Sequence, residues 1–351
     1  MIVDTLKRAN LLRIERIRRL PVPGSVLFNE GDPVHPEDVI AQAWLPDEVF
    51  ILDVAKGLGI DMEETLECLV RQIGETVQQD DVIAQCEGTL PRLVRSPVGG
   101  KLINFYQGKA VLAISKAEVN VKAGMIATIA EVIPEAGAIL SVTGSLVQGI
   151  WGNDRVGSGI LKVIEPALER PLEILDLDSL DSGLLVVARM CSSANVMKEL
   201  EKKKAAGLIL WTITPELIST IIDQPYPVLI LQGFGDVQPD PITIEILLSR
   251  EGEIGCINAC QRDRIDGQRP ELIIPQGKGN PEAENGSKEK LEIGQQVIVL
   301  SGSDMGKIGE VTALCDEKMR FDSGLILNAA EISLDSGVSI HVPAQNLLIL
   351  N

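Results

Sequence analysis

Two stretches of the chain, 43 residues apart, share a pattern too dense to be accidental. Gly31-Asp-Pro-Val-His-Pro-Glu-Asp-Val-Ile-Ala-Gln42 and Gly74-Glu-Thr-Val-Gln-Gln-Asp-Asp-Val-Ile-Ala-Gln85 agree at Gly31/Gly74, Val34/Val77, Asp38/Asp81, Val39/Val82, Ile40/Ile83, Ala41/Ala84 and Gln42/Gln85. Each copy reads as a turn at Gly, a short strand, a second turn at Asp, and a strand. Residues 51–72, between the copies, carry helix formers, Asp61 as a cap candidate, and Met62, Leu66, Leu69 and Val70 at helical spacing. That spacing predicts a helical insert.

Length and composition bound the rest. At 351 residues the chain is too long for one ordinary domain, and 45% hydrophobic against 23% charged residues gives it material for several cores. The net charge of −18 repels phosphate backbones and argues against broad nucleic-acid binding. Only His35 and His341 are present, which leaves little room for histidine catalysis or a histidine-rich metal site. The six cysteines are scattered and read as reduced thiols of a cytoplasmic protein. Cys256 and Cys260 are four apart with no second pair, so no metal site is expected. No run approaches the 18 apolar residues of a membrane span, and arginines interrupt the N-terminal segment where a secretory core would lie.

That N-terminal segment holds six bases and two acids in residues 1–19. It reads as a basic arm, with Arg13, Arg16, Arg18 and Arg19 as candidates for contact with an acidic partner, with the protein's own acidic body, or with nucleic acid or anionic lipid. A solvated face without function is the plainer alternative.

Residues 117–168 read as a small β domain with Gly-marked turns. Its Gly149–Gly159 stretch lacks the βαβ frame of a dinucleotide site. From 169 to 275 near-continuous apolar runs alternate with helical segments, which predicts a parallel α/β domain with ligand-competent loops at the strand ends. Those ends hold Cys191, Ser192 and Ser193, then Trp211 and Thr212, then Gly233 and Gly235. An anion could rest on the helix after Ser193, and Cys191 could be a nucleophile only if activated there; ordinary capping and turn chemistry explains the same residues. Residues 276–290 are polar with Gly and Pro, and read as a flexible linker.

Several segments resemble known modules. Val94-Arg-Ser-Pro-Val-Gly-Gly-Lys-Leu-Ile103, followed by a Gln107-Gly-Lys strand, resembles the second half of a barrel-sandwich hybrid, the fold of biotinyl and lipoyl carriers. The resemblance implies such a module over residues 20–116. The candidate hairpin tips Trp44–Asp47 and Glu87–Arg92 contain no lysine, so no covalent biotin or lipoate is expected. Residues 291–351 resemble a KOW-type SH3-like barrel through Val297–Leu300, Gly302, Gly306, Lys307 and Gly309, and through the closing segment Ser339–Asn346. KOW modules bind RNA or proteins; this one has three bases against eight acids, which favours a protein partner. The order as a whole resembles an uncharacterised bacterial multidomain family, through Arg19-Leu-Pro-Val-Pro-Gly24, Leu146–Gly152, Gly233–Gly235 and Arg269–Pro275. It implies a swivelling β/α unit in the middle and no particular activity.

The expected architecture is mixed α/β and multidomain, without catalytic residues or cofactor. The leading functional expectation is a cytoplasmic scaffold or adaptor for protein partners. An RNA- or ribosome-associated factor and a small-ligand site or enzyme at the strand-end crevice are the alternatives.

Overall fold

A computed structural model describes residues 1–86, 92–261, 268–277, 281–283, 288–315, 317–334 and 337–350. The chain is mixed α/β, built mostly of strands in several sheets with a few short helices.

The two sequence copies fold alike. Gly31 N–H donates to Ile129 O at 2.8 Å and Ile129 N–H to Asp32 O at 2.9 Å; Gly74 N–H donates to Leu102 O at 2.6 Å and Leu102 N–H to Glu75 O at 2.9 Å. A carboxylate closes each second turn: Asp38 Oδ2 accepts from His35 N–H at 2.7 Å, and Asp81 Oδ2 from Gln78 N–H at 3.0 Å. Val34, Ile40 and Ala41 are buried in one core, and Val77, Ile83 and Ala84 in another. Gly31 and Gly74 take φ of +87° and +97°, a region that favours glycine. The shared residues are therefore the shared turns and the shared core contacts.

The units are nested. Strand Val39–Pro46 pairs with Lys116–Lys122, and Pro33–Val34 with Ala127–Ile133, so the first copy finds its partners beyond residue 115. The second copy completes its own unit within residues 47–115, where Val49–Asp53, Lys109–Ala113, Gly100–Tyr106 and Thr76–Val77 form a sheet. Asp47 N–H donates to Ser115 O at 3.1 Å where the chain leaves and returns. One domain over 20–116 is thus replaced by an inner unit inserted into an outer one.

The expected insert helix over 51–72 shrinks to Val54–Leu58, capped by Asp53 and ended by Gly59 at φ +66°. Residues 62–68 form successive turns. Leu69 then bridges Ala84, and Gln85 N–H donates to Cys68 O at 2.7 Å. This brings Cys68 and Cys86 within a Cα separation of 5.0 Å, and they form a disulfide. The expectation of six reduced thiols fails here, because a helix through residue 68 would have carried that cysteine away from Cys86.

Among the described residues the largest sheet has twelve strands. Val156–Val163, Leu184–Cys191, Gly207–Ile213 and Val228–Phe234 run parallel, and Ile254–Asn258, Glu271–Pro275 and Gly137–Gln148 continue the sheet antiparallel. The sheet crosses residue 168 without a break, so the expected small β domain and the α/β domain share it. Strand residues alternate between its faces. Val186, Ala188, Leu208 and Leu210 pack with Val196, Met197 and Leu200 of helix Ala194–Lys202. Leu185, Val187, Ile209 and Trp211 pack with Ile246 and Leu247 of helix Pro241–Ser249. Burial on both faces explains the nearly unbroken apolar runs.

The basic N-terminus is not a free arm. Strand Arg8–Arg19 pairs along Gly137–Gln148, with Leu12, Ile14, Arg16 and Arg18 buried while Arg13 and Arg19 stay exposed. Arg16 meets the buried Glu271 through Nε–Oε1 at 2.8 Å and Nη2–Oε2 at 2.7 Å. Arg18 donates from Nε to Ala123 O at 2.9 Å, and burial pushes its guanidinium below the usual arginine range. Of the four arm candidates, only Arg13 and Arg19 remain available to a partner; the acidic body that the arm contacts is the protein's own.

Among the described residues the C-terminal unit is a seven-stranded sheet whose second strand in space comes from the N-terminus: Ile2–Leu6 lies beside Leu347–Leu350 in parallel and beside Lys288–Lys290 antiparallel. Within the expected linker, Glu282–Ala283 pairs with Arg8–Arg19, and Lys288–Lys290 with Ile2–Leu6; residues 278–280 and 284–287 lie outside those described.

Removing Glu271 would strand the Arg16 charge in the interior. Glu271→Ala is expected to lower the unfolding free energy by about 3–5 kcal/mol in denaturant titrations. A loss below about 1 kcal/mol, the range of exposed pairs, would contradict this placement.

Candidate ligand site at the parallel strand ends

The parallel strands end side by side. Met190 lies opposite Thr212 and Thr212 opposite Gly233; Cys191 lies opposite Ile213 and Ile213 opposite Phe234. Gly233 and Gly235 have φ of +127° and +94°, and Gly235 N–H donates to Ile213 O at 3.1 Å. These two glycines let the chain turn sharply off its strand into the 236–240 loop. Ser193 caps helix Ala194–Lys202, accepting from Asn195 N–H at 3.3 Å, and Ser192 is exposed beside it.

Cys191 and Thr212 point into the protein and are fully buried. The Cys191 thiol donates to Ser193 O at 3.4 Å, and burial raises its pKa. It is a packed thiol and lacks the environment of a nucleophile. Burial likewise pushes up the neighbouring Tyr226 phenol, which donates to Met197 O at 3.0 Å. Among the described residues no group of His, Cys, Asp and Glu is arranged to hold a metal ion. Nor is any helix among the described residues long and apolar enough to cross a membrane.

The charged centre of the crevice lies one turn further along. Asp240 caps helix Pro241–Ser249, with Oδ1 accepting from Thr243 N–H at 2.8 Å. Its Oδ2 accepts from Trp211 Nε1–H at 3.3 Å, and its Oδ1 also pairs with Arg8 Nη1. Both Arg8 and Asp240 are buried. Nearby, the buried Arg189 pairs through Nη2 with Asp236 Oδ1 at 2.7 Å, whose side chain is 73% exposed. Three strands and one helix thus converge on two acids and two arginines.

The C-terminal unit roofs this loop. Gly306, at φ +82°, sits so close to Val237 that a Cβ there would fall 3.1 Å from its Cγ2. Lys307 pairs with Asp304 at 2.8 Å, and that hydrogen bond, with one from Ser303, holds the Asp304 carboxyl below its usual range. Between roof and loop is a cavity of about 550 Å³. Its apolar wall is Val237, Pro239, Ile242, Ile308 and Leu334, and its polar wall includes Arg8, Asp236, Asp240, Lys307, Gln238 and Gln296. A volume of several hundred cubic ångströms, mostly apolar with a few polar groups, at a domain junction, suits a small organic ligand.

The structure brings together two groups that the sequence treats separately: the crevice residues Gly233 and Gly235, and the C-terminal Gly306 and Lys307. Gly302 turns at φ +95°, and Gly309 sits where a Cβ would come within 2.6 Å of Ser333 O, so both act through backbone shape. Cys191, Ser192, Ser193 and Thr212 frame the strand ends without lining the cavity. Sequence reasoning missed Arg8, Asp236 and Asp240. For Asp240 a local signal existed, an acidic residue before a proline that opens a helix; for Arg8 there was none, because its partner lies 232 residues away.

No protein-family model matches the chain, and neither does any curated protein.

Iodoacetamide at pH 8 is expected to leave Cys191 and Cys256 unmodified in the native protein and to label both after denaturation, read by peptide mass spectrometry; burial raises both thiols, Cys256 to about 11. Native-state labelling of Cys191 would restore it as a candidate nucleophile.

Proposed function

We propose that this protein is a non-enzymatic adaptor whose inner unit, residues 47–115, docks a basic, apolar segment of a partner protein. One observation carries this reading. The inner unit has a complete core of its own, yet Met62, Leu66, Val70 and Ile73 remain outside it and exposed, Leu66 to 66%. Met62 packs beside Gly108, so the patch continues onto the hairpin that carries the exposed Tyr106. Large apolar side chains left exposed in one short segment of a unit that already has its own core mark an interaction site.

Charge selects the partner. Asp61, Glu63, Glu64 and Glu67 are exposed among the apolar side chains, and residues 47–115 hold eleven acids against six bases. An amphipathic segment bearing Lys or Arg complements both properties, whereas an anionic lipid surface would be repelled. The resemblance of residues 94–103 to a barrel-sandwich hybrid and of 291–351 to a KOW module fits this reading, since both modules dock proteins elsewhere. The RNA alternative is weaker, because Arg8, Arg16 and Arg18 are turned inward and cannot reach phosphates.

The test is parallel affinity isolation with the full chain and with a Met62→Lys/Leu66→Lys variant. Both sites are exposed, so stability should stay within about 0.5 kcal/mol. The adaptor reading expects a protein retained by the parent chain and lost by the variant; identical eluates would count against it.

A further inference from the structure

We infer that the Cys68–Cys86 disulfide is a redox switch, and that its reduction lets residues 61–72 refold from turns into an amphipathic helix. The refolding stands on the inner unit's own geometry; its consequence for docking rests on the adaptor reading.

The segment's sequence and its structure disagree. Asp61 with Glu64 three residues on is a helix-start signal, Glu67 and Arg71 are spaced for an attractive pair along a helix, and Gly74 stands just past its end. Most residues between are strong helix formers. In the structure the N–H groups of Glu64, Thr65, Cys68 and Leu69 instead donate only three residues back, to Asp61, Met62, Thr65 and Leu66 O, at 3.1, 3.4, 3.2 and 3.3 Å. The chain then bridges to strand Val82–Cys86: Val70 N–H donates to Ile83 O at 3.0 Å and Gln85 N–H to Cys68 O at 2.7 Å. Val70 has a single N–H, which in an α-helix belongs to Leu66 O, so helix and bridge exclude each other. The disulfide decides between them, because it holds residues 68 and 86 at a Cα separation of 5.0 Å.

The rest of the inner unit does not need the bridge. Its fully buried apolar core draws no residue from 61–72; Cys68 and Leu69 only pack against its side. On a helix Met62, Leu66, Leu69, Val70 and Ile73 share one face. Thr65, which is buried, and Leu69 lie on that face, so the stripe would turn toward the unit, and its burial drives the change. The disulfide thus keeps the apolar patch exposed, and reduction covers it.

Both cysteines are only half-buried. The co-reactant is a dithiol. One of its thiolates attacks a cysteine sulfur, the Cys68–Cys86 bond breaks and a mixed disulfide forms; the second thiol then displaces the bound cysteine. Two electrons and two protons pass to the cysteines, and the dithiol leaves as its own disulfide. Cys191, Cys256, Cys260 and Cys315 are already thiols, so the reductant has one target among the described residues.

The test is hydrogen exchange resolved to single amides on the full chain: oxidised, reduced with dithiothreitol, and as Cys68→Ser/Cys86→Ser. Leu66, Glu67 and Arg71 N–H groups have no backbone acceptor among the described residues. On reduction, and in the double variant, they should exchange about tenfold more slowly while Gln85 exchanges about tenfold faster. Glu67→Gly, at an exposed position, should remove about fivefold of that protection from the reduced chain and leave the oxidised chain unchanged. Unchanged exchange would make the bond purely structural and overturn the switch. Faster exchange in both segments would mean simple loosening and overturn it equally. The readout needs no partner, so a failed affinity isolation leaves the switch standing, and unchanged exchange leaves the adaptor reading standing. A protein captured by the oxidised chain should be retained about tenfold less by the reduced one; equal retention would overturn the covering of the patch.

Discussion

A buried guanidinium must find a carboxylate, and in this protein the pairing of Arg8 with Asp240 fixes how distant pieces of chain meet. Asp240 starts helix Pro241–Ser249, holds Trp211 of a central parallel strand, and takes the charge of Arg8 from the N-terminal strand. Either charge alone in that interior would cost several kcal/mol, so the strand and the helix are bound to the same relative position. Arg16 with Glu271 repeats the device further along the same strand. Such pairs do more for register than for net stability, since apolar residues of the same shape could stabilise equally well. A slip of one residue would turn Arg16 and Arg18 to solvent and bring Arg13, Glu15 and Ile17 inward.

From this register follows the position of everything attached. Ile2–Leu6 and Arg8–Arg19 are consecutive strands in two different sheets, joined through the buried Lys7. The N-terminus therefore stitches the C-terminal unit to the central sheet, and Gly306 meets the 236–240 loop as a consequence. The cavity exists because two units separated by much of the sequence are pinned together at their edges. The inner unit is the opposite case. It hangs from the strands Val39–Pro46 and Lys116–Lys122, carries its own core, and leaves its apolar turns uncovered.

What was legible in the sequence is what short-range physics decides. The offset-43 copies specify two turns and two sets of core residues, and Ile40 and Ile83 occupy equivalent buried places. Ser193 before a helix, and Asp240 before Pro241, announce caps. Apolar runs such as Leu184–Ala188 announce strands covered on both faces. What was not legible depends on distant partners. Nothing in the first copy says that its strands pair beyond residue 115. The alternation Leu12-Arg-Ile-Glu-Arg-Ile-Arg-Arg-Leu20 puts Leu12, Ile14 and Leu20 on the face of Arg16 and Arg18, and that face can be buried only because Glu271 and Ala123 O, both distant in sequence, take up the two guanidinium groups. The Cys68–Cys86 bond was hidden because Met62, Leu66 and Leu69 imitate helical spacing over a segment that folds as turns. Of the site, the glycine turns were visible, and the charges that give it chemistry were not.

The most direct test of this account is a double-mutant cycle on Arg8→Met and Asp240→Asn, the second chosen because asparagine still caps a helix. Equilibrium unfolding of the parent, both single variants and the double variant gives the coupling energy. A coupling of about 2 kcal/mol or more, with the double variant more stable than Arg8→Met alone, is expected of two charges that are buried together. A coupling near zero would mean that they do not meet in the interior, and the N-terminal strand would lose its place as the element that fixes the rest.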